Sequence, residues 1–371
     1  MCQSNMLLKV SGKKIIGVSR EYPTSTDYQY DVVFPSDSIV LPGFIDCHVH
    51  LALDGIDFNQ SLERWQDDSL WTPQVKQQLK DTLKCGIVAV RDGSDKAAIG
   101  LKAKKLLGAK PVIISCGEAI YQRGRYGSFL GPGFTNITQV KRFINDLAAA
   151  GINQIKVVAS GIVSFKEYGK VGGPQFGLDF FKDIVSEAHR KGLRVMSHAS
   201  GAEAVETAVE AGVDSIEHGF FVKNDTLKKM SQRGIVWVPT VIAAAGRLNS
   251  NRPEENKDVI EKTVNEHLER ISWAKDVGVT IAVGTDAGAP GVPHGKSFAK
   301  ELRYLSQAGL TNEELIKAAT ETGAAVLDIS QLGSLAKGKS ASFIVTRGHN
   351  GGIVEMAMNI SEVYHQGRRI N

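Results

Sequence analysis

Leu41-Pro-Gly-Phe-Ile-Asp-Cys-His-Val-His50 is an apolar run that ends in two histidines two positions apart. Side chains alternate along a strand, so His48 and His50 face the same side and their ring nitrogens can reach one metal ion together. With 9 histidines in 371 residues, composition alone gives roughly 0.2 such pairs by chance. The weight of the pair therefore depends on whether further ligands follow it, and where.

Outward from this run, short apolar stretches alternate with longer amphipathic ones. The strand candidates are Val40–Asp46, Ile87–Arg91, Val112–Cys116, Gln154–Val158, Arg194–Ser197, Ser215–Glu217, Ile235–Pro239 and Thr280–Gly284. Helical patterns lie between them, such as Asp179–Lys191, Ala202–Ala211 and Asn265–Val277, closed by Gly192, Gly212 and Gly278 at the C-terminal position. Strands alternating with helices predict a parallel sheet. Eight such units predict an α/β fold of the closed (β/α)8 TIM-barrel kind. No GxGxxG follows the first strand to support an open doubly wound sheet. The ends read differently: Met6–Val10, Lys14–Val18, Tyr30–Phe34 and Ser342–Arg347 are brief β-rich runs without helices between them. Residues 1–43 and 338–371 are thus expected to form one small β-sandwich domain from both termini. The barrel is expected over residues 44–337.

Composition narrows the function classes. Hydrophobic content of 42%, charged content of 23% and a net charge of +4 are those of an ordinary globular protein. No Lys/Arg block with interleaved aromatics suggests nucleic acid, and no apolar run approaches the ~18 residues needed to span a bilayer. The N-terminus lacks the basic flank and long apolar stretch of a signal peptide. Cys2, Cys47, Cys85 and Cys116 show no CxxC spacing, which suggests reduced thiols and a cytoplasmic location. Cys47 should face away from the histidines that flank its strand end and serve packing. The expected partner is a small-molecule substrate, with a homo-oligomer left open.

Barrel enzymes carry their chemistry at the C-terminal ends of the strands. That filter gathers His48 and His50 on the first strand, Lys156 on the fourth, His198 on the fifth, His218 on the sixth and Asp286 after the eighth. His189, His267, His349 and His365 lack this placement and read as surface or packing residues. Imidazoles with a carboxylate suit Zn²⁺, Mn²⁺, Fe²⁺ or Co²⁺. Four histidines and an aspartate exceed what one tetrahedral zinc with an open water position needs. An ammonium beside two cations is repelled, so Lys156 must be deprotonated, modified or turned away. A carbamate formed with CO₂ would make it a carboxylate able to bridge two metals.

The whole constellation resembles the amidohydrolase superfamily of metal-dependent hydrolases, in its prolidase-like and imidazolonepropionase-related branch. The resemblance rests on Pro42–His50, Gln154-Ile-Lys-Val-Val-Ala-Ser-Gly161, Ser197-His-Ala-Ser-Gly201, Asp214-Ser-Ile-Glu-His-Gly219 and Gly284-Thr-Asp-Ala-Gly288. It implies two divalent metal ions, zinc first among them. His48, His50 and Asp286 would hold the more buried one, His198 and His218 the second, and N-carboxylated Lys156 would bridge them. It also implies cleavage of an amide-type C–N bond by a metal-bridging hydroxide, with Asp286 as the proton shuttle. The family usually has an Ala-Asp pair near the C-terminal β-domain; here Ser342 stands in place of the acid, which bears on packing of that domain.

Rival readings are a deaminase, a mononuclear cyclic-amide hydrolase and a non-catalytic barrel used for binding or assembly. Deaminases on this barrel place a glutamate three residues after the fifth-strand histidine, where this chain has Gly201 and only later Glu203. Every ligand a non-catalytic relative would lose is present. Specificity is expected from the loops. Arg123 or Arg125 would clamp a substrate carboxylate and Tyr126 donate a hydrogen bond, and His294 lies where the family often contacts substrate.

Overall fold

The computed structural model describes residues 6–20, 32–107, 111–249, 254–347 and 352–370. Strands Phe44–Val49, Ile87–Asp92 and Val112–Ser115 pair in parallel as one sheet. Strands Gln154–Val158, Arg194–Ala199, Ser215–His218 and Val236–Val238 pair in parallel as another. Backbone hydrogen bonds join the two. Ile120 N donates to Lys156 O and Val158 N to Ile120 O, both at 2.9 Å. On the other flank Trp237 N donates to Thr280 O and Ala282 N to Trp237 O at 2.9 Å, and Cys47 N donates to Val283 O at 2.9 Å. The succession that leaves the first strand thus returns to it.

The strands are buried along nearly their whole length, as expected of parallel strands covered on both faces. Helices Asp68–Lys84, Ile137–Ala150, Leu178–Arg190, Ala202–Ala211, Asn224–Arg233 and Lys257–Asp276 bury one face each. Asn136 and Asn256 cap two of them by accepting backbone N–H bonds. At the opposite ends of the strands, Ile45, Cys47, Val88 and Ile114 pack with Ala324, Val326 and Leu327 of the chain's late helical segment. Cys47 is therefore a packing residue on the face away from the histidines. No helix among the described residues is long and apolar enough to cross a membrane.

Three expectations need correction. The run Val40–Asp46 is two strands: Ser38–Pro42 pairs antiparallel with Phe343–Arg347, and Phe44–Val49 pairs with Ile87–Asp92. Gly43 is the break, where a Cβ would meet Val88 Cγ1 at 2.4 Å, so only glycine lets the chain pass from one sheet to the next. Thr280–Gly284 makes a single bridge, Ile281 with Trp237, because Val283 N turns away to Ala318 O. Val32–Phe34 is not strand, and Tyr30 and Asp31 lie outside the described residues. The C-terminal strands Phe343–Arg347, Ile360–His365 and Arg368–Ile370 complete a four-stranded antiparallel sheet with Ser38–Pro42, and helix Gly352–Met358 sits between the first two. Ser342 Oγ lies 2.8 Å from Ser340 Oγ and accepts from Gln366 N at 3.0 Å, so a neutral hydroxyl serves where an acid was expected.

His267 is a packing residue. Its ring stacks on Phe220 with centroids 4.0 Å apart, stands edge-on to Trp237, and donates from Nε2 to Pro239 O at 3.0 Å. Burial lowers its pKa to about 4. Between that value and the ordinary 6.5 the unfolded chain binds the proton and the folded one does not, so stability falls as pH drops through this window. Urea unfolding at pH 7 and pH 5 should show His267→Gln losing about 2 kcal/mol less than the wild type over that interval; equal losses would contradict the assignment.

Candidate metal centre

His48, His50 and Asp286 bring ligand atoms to within 4.8 Å of one another. His48 Nε2 lies 3.4 Å and His50 Nε2 3.3 Å from Asp286 Oδ1. Lys156 Nζ stands 3.3 Å from His48 Nε2. The His198 and His218 rings are 4.6 Å apart, and His218 is 5.1 Å from His48. All six side chains converge, five of them buried in the strict sense and Asp286 nearly so. The spacing of Gly93 supports the cluster: a Cβ there would come within 3.0 Å of His48 Nε2 and His50 Cε1.

The partners of each ring assign its proton. His50 Nδ1 lies 3.1 Å from Ser94 O, a carbonyl that can only accept, which leaves Nε2 as the lone pair facing Asp286. His198 Nε2 faces Gly161 O at 3.4 Å, so Nε2 carries the proton and Nδ1 keeps the lone pair. His218 Nδ1 sits 2.7 Å from Thr240 Oγ1. His48 Nδ1 lies 2.9 Å from Glu217 Oε2. Carboxylate and carbonyl partners of this kind orient metal-ligating imidazoles.

Electrostatics favour the ligand forms. Burial, and then the Lys156 charge, hold His48 well below 6.5 and bring His198 to about 4. Burial and the His198 charge do the same to His218. Burial alone would raise Asp286, but His50, His48 and Lys156 bring it down to about 2. Burial also lowers Lys156 from 10.5, toward the neutral amine. Neutral imidazoles and an ionised carboxylate are what a divalent cation requires. His218, Thr240 and Asp286 hold positive φ of 66°, 50° and 58°, a conformation non-glycine residues avoid and which clusters at functional sites.

The cluster forms the floor of a cavity of about 320 Å³ walled by Leu53, Ile56, Phe58, Phe129, Phe165 and Phe220, among others. Tyr126 reaches this cavity, its ring 5.7 Å from His198. Arg123 and Arg125 do not: both are exposed, and Arg123 Nε donates to Gly133 O. His294 is buried behind the wall with Nε2 3.0 Å from Leu53 O, where it ties the last loop to the first. Glu203 is exposed on its helix and outside the cavity. Three residues escaped sequence reading. Arg91 is fully buried and Glu217 pairs with it at 2.7 Å; a charged residue after the apolar run Ile87–Val90 was the available signal for Arg91. Arg247, on the cavity wall, carries no motif.

Residues 39–369 match the amidohydrolase family. The chain belongs to that family. It is 27% identical to ochratoxinase of Aspergillus niger over 358 residues, 85% of this chain and 71% of that protein. Identity to imidazolonepropionase of Christiangramia forsetii is 24%, over 92% of this chain and 85% of that one. A solved Xaa-Pro dipeptidase with methionine bound in its active site superposes with a TM-score of 0.83 at 27% identity, covering 97% of this chain and 93% of the other. This amidohydrolase is a hydrolase acting on carbon–nitrogen bonds.

Because Glu217 holds the far side of His48, Glu217→Gln should weaken divalent-metal affinity by about 10- to 100-fold. Competition with a chromogenic chelator reads this directly; unchanged affinity would show that the contact does not orient the ligand.

Proposed function

We propose that this chain cleaves the amide bond of a dipeptide, an N-acyl amino acid or a related small molecule at a binuclear metal centre. The observation that carries the proposal is the convergence of His48, His50 and Asp286 with Lys156, His198 and His218 on the floor of one apolar cavity. Similarity to an Xaa-Pro dipeptidase and an ochratoxinase supports the substrate range. In this reading the ring of hydrogen-bonded strands is a closed (β/α)8 barrel over residues 44–337. Residues 1–43 and 338–371 make the accompanying small β-domain, and the partner is a small molecule in the cytoplasm.

His48, His50 and Asp286 would hold one ion, His198 and His218 the other, zinc being the favoured metal. When bound, two such ions supply an acidified water and a Lewis acid for the carbonyl. Lys156 would serve as a shared ligand once carboxylated: its neutral Nζ would add to CO₂, an N–C bond forming as one C=O π bond opens to give the carboxylate, with the amine proton passing to solvent. Burial of the amine promotes that step by favouring its uncharged form. Asp286, ionised at neutral pH, takes a proton from the attacking water and returns it to the leaving nitrogen. The apolar walls exclude bulk water around that transfer.

Asp286→Asn should keep the fold and lose about 10²- to 10⁴-fold in turnover, with metal content measured alongside; near-full turnover at full metal loading would remove the shuttle. Lys156→Ala should drop bound metal from two ions per chain to one or none by elemental analysis. Two ions retained in that variant would exclude the carbamate bridge.

A further inference from the structure

From the floor, aromatic rings run in a line to the mouth of the cavity. The Tyr126 ring stands 5.7 Å from that of His198, Phe129 stands 5.7 Å from Tyr126 at 70°, and Phe58 stands 5.2 Å from Phe129 at 88°. All four line the same cavity. These separations lie in the range where rings attract, and the last two pairs meet edge to face. Two distant loops build the ladder: Tyr126 and Phe129 follow strand Val112–Ser115, and Phe58 opens the helix Phe58–Arg64. Its backbone is fixed. Leu130 N donates to Gly127 O at 2.8 Å, Lys96 N to Phe129 O at 2.9 Å, and Gln175 Nε2 to Tyr126 O at 2.7 Å.

The rim is apolar as well. Ile56, Phe58 and Ile162 line the cavity yet are 87%, 39% and 49% exposed. Large apolar side chains left in water around a cavity mark a surface that an apolar ligand covers. Beyond the floor, the charged side chains among the described wall residues are Asp54 and Arg247, and both are engaged. Asp54 accepts from Arg64 Nη1 at 2.8 Å and from Ile56 N and Asp57 N at 2.8 and 2.9 Å. Arg247 bonds Glu255 through Nη1, lies over the Phe165 ring at 4.8 Å from its centroid, and has further contacts besides. A charge carried into this space would leave water without gaining an ionic partner. The volume of about 320 Å³ is roughly twice the ~150 Å³ apolar void that admits benzene, which leaves room for an aryl group beside the amide.

We propose that this site takes an amide with an uncharged aryl group, laid along the ladder Tyr126–Phe129–Phe58, and that Phe129 is its specificity-determining residue. The inference rests on the hydrolytic reading above and narrows it. The floor engages the scissile bond, and Phe129, the middle rung, packs against the aryl group between the buried Tyr126 end and the exposed Phe58 end. Rings have few rotamers to lose, so the ladder is ordered before the substrate arrives. A free dipeptide, which carries a charge at each end, is then a poor substrate. The carboxylate clamp expected of Arg123 and Arg125 gives way to a preference against charge.

The test compares acetanilide, 4-acetamidobenzoate and 4-acetamidobenzamide, the last matching the acid in size without its charge. Release of the arylamine from each is followed with the zinc-loaded wild type. Both neutral compounds should exceed the acid in kcat/KM by about tenfold or more, the cost of an unpartnered buried charge. Phe129→Ala should raise KM for the neutral compounds by about 3- to 10-fold, and Phe129→Leu should recover part of the loss. Phe58→Ala, at the exposed rim where the fold is not at risk, should act in the same direction. An acid hydrolysed as well as its neutral match, or a KM unmoved in Phe129→Ala and Phe58→Ala, would overturn the proposal. Turnover of none of the three counts against the hydrolytic reading, and calorimetric binding of the same compounds then decides the inference. Tighter binding of the neutral pair, weakened in Phe129→Ala, would support it; equal binding of acid and neutral match, or binding of none, would refute it.

Discussion

A buried guanidinium organises this molecule. Arg91 donates from Nε to Cys47 O at 2.6 Å, from Nη1 to Gln154 Oε1 and Ser215 Oγ at 3.0 and 3.1 Å, and from Nη2 to Glu217 Oε1 at 2.7 Å. Those partners belong to three strands, Phe44–Val49, Gln154–Val158 and Ser215–His218, and Arg91 ties them to a fourth, its own Ile87–Asp92. Burying an ion pair costs several kcal/mol of lost hydration per charge, and is tolerated only where the geometry satisfies the donors. Here it does, and the second oxygen of Glu217 continues the chain to His48. A hydrophobic replacement would fill the space but would release the imidazole whose opposite nitrogen faces Asp286 and Lys156.

The rest of the site follows from that anchoring. Once His48 is fixed, period-two alternation brings His50 to the same face, and Asp286 reaches both because its own N–H donates to His48 O at 2.8 Å. Asp46, on the same strand, accepts from Thr285 Oγ1 and N at 2.7 and 3.0 Å, which locks the turn that places Asp286 at positive φ. The strained ends at His218, Thr240 and Asp286 are thus held by neighbours on adjoining strands. A rigid frame of paired strands thus lies beneath an irregular backbone that carries the candidate ligands.

Much of this was legible in the sequence, for identifiable reasons. The parallel strands announced themselves because both faces are buried, so Ile87–Asp92 and Gln154–Val158 read as apolar runs broken by a few polar residues. The metal-ligand candidates were legible because each lies on a strand or at its end, a position definable in one dimension. What failed was everything set by contact between distant segments. Gly43 looks like mid-strand residue until Val88 is seen against it. Arg123 and Arg125 look like an anion clamp because they cluster with Tyr126, yet their loop turns them to solvent. Arg91 and Glu217 look like isolated charges, and only pairing of the strands makes them partners. Arg247 sits after a short helix with no period or motif to flag it.

In the function proposed above, these six side chains form one two-metal site bridged by a modified lysine. X-ray diffraction from metal-loaded crystals, collected with anomalous scattering at the metal edge, addresses it most directly. Two anomalous peaks are expected about 3.5–4 Å apart, one beside His48, His50 and Asp286 and one beside His198 and His218, with carboxylate density on Lys156 Nζ between them. A single peak with an unmodified Lys156 amine would contradict it.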